Sequence, residues 1–357
     1  MNAQEFALPS MAEQGVLWRE LQRRIGDSPG LLKKQYLYYS VKLLLTLCLF
    51  GASILWLVAM GNSWWHMANA LLAGFVSGQM LLAAHSSGHG QVLASWRNNY
   101  TVSLAVGFLT GVSPSWWAFK HNDGHHKNPN NVDLDPDVRV SVLAFIEEQA
   151  FGKKGFNRAV VRYQHVFVFL ILCLSALSFR GASIHYLLPW SNGELKVRYR
   201  LLEIAVLAAH SAGYILLLVF LLDSWLYIMV FTIVYQGFTG LYIGSLFAAN
   251  HKGMRMFRKG DGVSFLLRQA LPSRDVKNHW FFDFLFGGLN FQIEHHLFPF
   301  MAENKLREAQ IIVRKFFKDY EIPYCETGVL DTFTEIWGHL RRVSAPLRDP
   351  ILANASS

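Results

Sequence analysis

Apolar residues along this chain gather in long uninterrupted runs, unlike the alternating or every-third patterns of a soluble fold. Leu43 to Met60 carries no charge, and Trp64 to Ala84 follows after a very short turn. In Ile204 to Leu222 only His210 titrates near neutral pH, and Trp225 to Ala249 has no such group. Each run is long enough to cross the apolar core of a bilayer as a helix, which takes about 20 residues. The gap inside each pair is tiny, so the pattern predicts two helical hairpins. Two further runs are shorter. Val102 to Trp117 contains Gly107, Gly111 and Pro114, and Val166 to Phe179 ends at Arg180. These are expected to lie in the interface or to re-enter. From Lys305 to Tyr320 the periodicity is that of an amphipathic helix, with Leu306, Ile311, Ile312, Phe316 and Phe317 on its apolar side.

Composition agrees with the runs. Hydrophobic residues make up 52% of 357 positions, too many for an ordinary soluble enzyme. The formal net charge is +8. Arg19, Arg23, Arg24, Lys33 and Lys34 precede the first run, whereas the turns at 61–63 and 223–224 hold no Lys or Arg. Excess Lys and Arg marks the cytoplasmic side, so both termini are expected there. No basic motif with interleaved aromatics points to nucleic acid. The first 35 residues are polar and mixed in charge, unlike a secretory leader. Cys48, Cys173 and Cys325 are too scattered to form a disulfide framework.

Histidine changes the picture. Seven of the 14 histidines fall in three clusters: His85 and His89; His121, His125 and His126; and His295 and His296, preceded by Gln292. Imidazole binds iron, copper, zinc and nickel, and so many rings with few thiols suggest more than one metal ion. His85 and His89 are four apart, which on a helix turns both rings to one side. His121 and His125 repeat that spacing, and His126 would point about 100° away, so adjacent rings can face different metals. Gln292, His295 and His296 repeat the theme at i, i+3 and i+4. Four crossings bring the first and last clusters to the same membrane face. Asp133, Asp135 and Asp137, close after the second cluster, are candidate acceptors for ring N–H groups, or else members of a solvated turn.

The three clusters in order, with their flanks, resemble the membrane fatty acid desaturase family, the integral-membrane di-iron oxygenases with three histidine boxes. The matching flanks are Trp117 to His126, Asn128 to Asp137, Arg162 to His165, Asn250-His251-Lys252-Gly253-Met254, and FGGLNFQIEHHLFP from Phe286 to Pro299. The last is most similar to front-end and bacterial acyl desaturases. The similarity covers roughly residues 35 to 325. It implies an all-α integral membrane fold, with four transmembrane helices in two hairpins, interfacial helices and a cytoplasmic histidine-rich di-iron cap. The domain limits expected are an N-terminal segment 1–38, a desaturase domain 39–325 and a C-terminal tail 326–357. The resemblance also implies His251 as a further ligand. The implied metal set is then His85, His89, His121, His125, His126, His251, Gln292, His295 and His296, holding two iron ions, with O2 as co-substrate.

Two departures stand out. Ser86 follows His85 where the family usually has Asp, and no His-Pro-Gly-Gly haem motif occurs. Electrons are therefore expected from ferredoxin or cytochrome b5 with its reductase. Removing hydrogen from an unactivated methylene is beyond acid–base side chains and calls for metal chemistry. The implied reaction is insertion of a double bond into a fatty acyl chain. A di-iron lipid or small-molecule hydroxylase shares the first hydrogen abstraction and is left open by the sequence. A membrane metal-handling protein would place its ligands deep in several spans, and these cluster at one face. Elsewhere, His165 is expected to serve outside the metal shell, His210 to make an interhelical hydrogen bond, His66 to be an interfacial polar residue, and His185 and His339 to lie on the surface.

Overall fold

A computed structural model describes residues 6–61, 63–189, 197–277 and 279–349. The ends of the expected terminal segments, 1–5 and 350–357, lie outside the described residues. Among the described residues the fold is all-α apart from two three-residue strands. In chain order the helices are α1 (Met11–Gly26), α2 (Tyr36–Met60), α3 (His66–Gly88), α4 (Trp96–Thr110), α5 (Pro114–Trp117), α6 (Glu147–Gly152), α7 (Gly155–Arg162), α8 (Gln164–Cys173) and α9 (Ser175–Leu187). Then come α10 (Arg200–Leu221), α11 (Trp225–His251), α12 (Phe265–Ala270), α13 (Trp280–Phe286), α14 (Gln292–Leu297), α15 (Leu306–Asp319) and α16 (Val329–Val343). A π-helical stretch, Ala118–His125, continues α5. The strands β1 (Asp275–Lys277) and β2 (Glu326–Gly328) pair in parallel.

Four helices, α2, α3, α10 and α11, are long and apolar enough to span a membrane, and they form the two hairpins expected. The two shorter apolar runs are helices broken in the middle, at 111–113 between α4 and α5 and at Leu174 between α8 and α9. By internal packing the chain divides into two units.

One unit comprises Lys34–Phe119 and Leu170–Ser245. Its spans turn apolar side chains outward and keep polar ones in. On α2, Leu37, Leu44 and Leu55 are exposed, while Tyr39, Lys42, Thr46 and Ser53 are buried. Ser53 Oγ donates to Asn69 Oδ1 at 2.8 Å, and Asn69 Nδ2 donates to the Ser53 carbonyl at 2.9 Å, joining α2 to α3. Gln79 donates to Tyr242 at 2.6 Å and ties α3 to α11. Gly240 lets α11 approach α8 closely: a Cβ there would lie 2.2 Å from the Cys173 carbonyl oxygen. His210 Nδ1 lies 2.7 Å from the Phe108 carbonyl on α4, the interhelical bond expected. His66, the first residue of α3, is fully buried against the Gly61 carbonyl.

The other unit comprises Met1–Lys33, Lys120–Phe169 and Leu246–Ser357. Its apolar core joins Leu21 and Ile25 of α1, Leu266 and Leu267 of α12, Ile293 and Leu297 of α14, and Val313, Phe316 and Phe317 of α15. Each such side chain contributes about 1.5–3 kcal/mol on burial. Ser10 caps α1 in a reciprocal box with Glu13. Helix α15 forms where the periodicity predicted it, although Ile311 faces solvent. Residues 326–349, expected as a tail, form β2, α16 and a final turn within this unit. His339 is half-buried, with Nε2 3.1 Å from the Phe145 carbonyl, where a surface position was expected.

Candidate metal centre

The second histidine cluster sits on irregular backbone. In the π-helical stretch the amide of His126 donates to the carbonyl of His121, five residues back, at 2.8 Å. That widens the turn, so the partner of His121 is the fifth residue on and not the fourth. His121 and His126 bring their Nε2 atoms to 3.1 Å, and His126 Nε2 lies 3.2 Å from His295 Nε2. The α-helical spacing expected for His121 and His125 gives way here. His125 belongs instead with His251, at the end of α11, and with His296 of α14. His125 and His251 approach to 3.2 Å between Nε2 atoms, and His251 and His296 to 3.1 Å. Adjacent histidines therefore serve different groups at both places: His125 and His126 diverge, as do His295 and His296.

Ring nitrogens this close repel unless something positive lies between them. A metal–imidazole distance of about 2.1 Å puts neighbouring ligand nitrogens about 3.0–3.4 Å apart. The opposite ring nitrogens explain why Nε2 is the one offered. His125 Nδ1 lies 3.1 Å from Asp135 Oδ2. His251 Nδ1 lies 2.9 Å from the Pro272 carbonyl, and His296 Nδ1 lies 2.8 Å from Gln269 Oε1. An acceptor at Nδ1 keeps the proton there and leaves the Nε2 lone pair for a metal. The donor set fits first-row transition metals.

The three candidate aspartates separate. Asp135 is buried, accepts from the Asn130 amide at 2.8 Å and faces His125. Asp137 forms an ion pair with Lys120 and lies 3.5 Å from His125 Nδ1. Burial opposes the charge of Asp137, but Lys120, His125 and Lys252 outweigh it and hold its pKa below the ordinary carboxylate range. Asp133 has the turn role, accepting from the Lys259 amide at 2.9 Å.

Gln292 is buried beside His251. Its Nε2 lies 2.9 Å from His251 Nε2, and its Oε1 accepts from Asn250 Nδ2 at 2.8 Å. Ligation through the carbonyl oxygen takes a half-turn of the amide, exchanging those two contacts. Glu294, between Ile293 and His295, points away from the rings. Tyr324 donates to its Oε1 at 3.0 Å and also to Asp275, which accepts from the Ile293 amide at 3.0 Å. Burial, then the charge of Asp275, pushes the Glu294 carboxyl well above its usual pKa. This buried acid pair fixes the back of α14.

His85 and His89 stand at the end of α3, in the other packing unit, with ring centroids 4.7 Å apart, as the i, i+4 spacing predicts. Ser86, at the position of the family's Asp, donates to the Leu82 carbonyl one turn back. His165 packs edge-on against Trp337 and belongs to no metal-binding group among the described residues.

Some participants were not anticipated. Gln269 links two clusters, accepting from His296 and donating to the His126 carbonyl at 2.8 Å. Asn130 takes a positive φ of 52° and donates to the carbonyl of His251 at 2.9 Å. The run Asn128-Pro129-Asn130-Asn131 has the composition of a loop. Nothing near Gln269 in sequence marks it.

Comparison with known proteins agrees with this geometry. The profile of a family described as Fatty acid desaturase matches residues 62–328. A Δ6 fatty acid desaturase of Caenorhabditis elegans is 30% identical over 326 residues, covering 88% of this chain and 72% of that protein. An acyl-lipid (9-3)-desaturase of Physcomitrium patens is 28% identical, covering 88% of this chain and 60% of that protein. A Δ8 fatty acid desaturase of Borago officinalis is 28% identical, covering 90% of this chain and 73% of that protein.

Proposed function

This chain belongs to the fatty acid desaturase family, and on that premise we propose that it is a front-end-type acyl desaturase whose metal ligands are the histidines of all three boxes together with His251. The ligands are then His85, His89, His121, His125, His126, His251, His295 and His296, with Gln292 as a weak neutral ligand or the holder of a bound water. The observation that carries this reading is the convergence of Nε2 atoms from His125, His251 and His296, each ring with an acceptor at Nδ1. Held by these ligands, a pair of iron ions would supply the O2-dependent oxidation that desaturation of an acyl chain requires.

The chain's own residues do the rest. Asp135, Gln269 and the Pro272 carbonyl hold the rings in the ligating tautomer. Lys120 and Lys252 balance the charge of Asp137 beside them. Apolar helices provide a medium for the acyl chain and exclude water. The three relatives are named as Δ6, acyl-lipid (9-3) and Δ8 desaturases, which supports the front-end subtype. The orientation with termini and metals in the cytoplasm, and electron supply by ferredoxin or cytochrome b5 with its reductase, belong to the same proposal.

Lipid profiling of a host expressing wild type and His125→Ala tests it. A new unsaturated acyl species with wild type alone is expected. A hydroxylated acyl product would replace desaturation with the hydroxylase reading, and identical lipids from both strains would sink the assignment.

A further inference from the structure

Away from the clustered histidines, four arginines gather where α7 and α16 end. Arg162 closes α7, Arg341 and Arg342 occupy the last turn of α16, and Arg348 follows. Arg348 staples the cluster: it donates to the carbonyls of Arg162 at 2.8 Å and Arg341 at 2.7 Å, and to Ser344 Oγ at 2.6 Å. Two of these three bonds go to backbone. The guanidinium of Arg341 lies over the Trp337 ring at 5.3 Å. Among the described residues no carboxylate pairs with Arg162, Arg341 or Arg342. Trp337, Arg341, Arg342 and Arg348 line an open hollow of about 680 Å3, with Asp349 at its edge.

Three arginines line the hollow against one carboxylate, Asp349, and like charges held together are costly. The pKa of Arg348 is lowered, first by burial and then by Arg341 and Arg162. An anion in the hollow would relieve that repulsion. The surroundings say which kind. Leu330, Trp337 and Arg341 recur at i, i+7 and i+11 along one exposed side of α16, and Leu330 is 82% exposed. Phe333 packs on Phe169 of α8, where Val166, Phe167 and Phe169 are also exposed. Exposed aliphatic residues, a tryptophan and then arginines form the gradient of a helix lying at a membrane surface. An acidic protein partner would not call for the apolar half.

We propose that Arg341 and Arg342, with Trp337 beside them, form a site for the phosphate of an anionic bilayer lipid at the membrane–water boundary. The planar guanidinium forks match phosphate oxygens. The site lies largely beyond the family-matched segment, which ends at residue 328. It rests on membrane residence and not on the iron chemistry, so it stands or fails separately from the proposed reaction.

The test uses the full chain in detergent, with retained lipid read by native mass spectrometry. Wild type should keep phosphatidylglycerol in preference to phosphatidylcholine. Each arginine near an anionic headgroup is worth about fivefold in affinity, so Arg341→Gln with Arg342→Gln should cut the preference about twentyfold or more. The double lysine variant should restore part of it, and Arg23→Gln, in a salt-bridged surface helix, should change nothing. Melting curves of all variants separate lost binding from lost fold. Equal retention of both lipids by wild type, or an unchanged preference in a folded double glutamine variant, would overturn the proposal. So would displacement of the lipid by coenzyme A or inorganic phosphate at matched concentration. A raised KM for an acidic electron carrier with lipid preference intact would make the cluster a redox-partner dock instead.

Discussion

The two packing units solve opposite problems with the same amino acids. In the membrane-spanning unit the outside is the apolar part. The spans α2 and α10 have mean hydropathies of 2.4 and 2.3, yet only 17% and 11% of their most apolar stretches are buried. What lies inside is sparse polarity in closed arrangements, such as Ser53 with Asn69 and the Glu203 carboxyl with Ser113, Ser115 and Tyr100. The histidine-bearing unit buries Leu21, Ile25, Phe316 and Phe317 as a soluble protein does, then adds a second interior made of rings and amides. Backbone follows the same division. Lipid tolerates little but closed helices, while residues 126–146 wander without a helix and Asn130 adopts a positive φ. Stability in one unit comes from what surrounds it. In the other it comes from what it encloses.

The sharpest way to break the comparison is to empty the polar interior. His251→Ala should abolish desaturation and lower bound iron by at least about a hundredfold in affinity, a loss at least as large as that for outer-shell groups. Membrane extraction should be unchanged, because α11 keeps its apolar length. Metal analysis of the purified variant decides. Full iron content would remove His251 from the ligand set.

In the membrane-spanning unit the comparable cut is Glu203→Ala. It leaves Ser113, Ser115 and Tyr100 without their shared acceptor in a buried place. A cost of about 2–3 kcal/mol is expected, read as a lowered Tm in detergent. Iron content per folded chain should stay at the wild-type level. Coincident loss of iron would show that the division into an apolar support and a polar site is too clean.

Asp135→Asn probes the layer behind the rings. It keeps the size of the group but weakens the acceptor for His125 Nδ1, 3.1 Å away. Iron affinity in a chelator competition should fall about 10–100-fold. Asp133→Asn, whose carboxylate accepts from the Lys259 amide at an exposed position, should stay near wild type. Equal effects from both would mean that acidity of the loop matters and the individual acceptor does not.

The spans were legible because lipid leaves few choices. A run without charge must become a helix, so Trp225 to Ala249 was recognisable and its end at His251 only two residues off. The histidines were legible as a set for the same reason that metals need them, through spacing. Their grouping was not. A π-helical turn sends His121 to His126, and no local pattern distinguishes that from an α-turn. Gln269 was invisible because its role depends on α12 meeting α14 and the second box, a meeting fixed by packing among Leu266, Leu267, Ile293 and Leu297. The arginine cluster was hidden similarly, since Arg162 and Arg341 are far apart in sequence and meet through Arg348.

The smallest effect is expected at Asn69, a buried amide between α2 and α3. Its amide exchanges two hydrogen bonds with Ser53, at 2.8 and 2.9 Å, inside a hairpin that faces lipid. An unpaired amide in hydrocarbon is costly, so two bonds there invite a large estimate. The unfolded reference, however, is a chain still in the membrane, where Asn69 finds other partners. Measured interhelical bonds in membranes therefore average only about 0.6 kcal/mol each. Asn69→Leu should lower stability by about 1 kcal/mol through these bonds, while Ser53→Ala with Asn69→Leu together should cost little more than the single change, because the Ser53 hydroxyl has then been removed as well. A double-mutant cycle in detergent unfolding checks this. A coupling several times larger would mean that polar pairs in the spans carry the fold as strongly as the histidine interior carries the site, and the contrast between the two units would have to be redrawn.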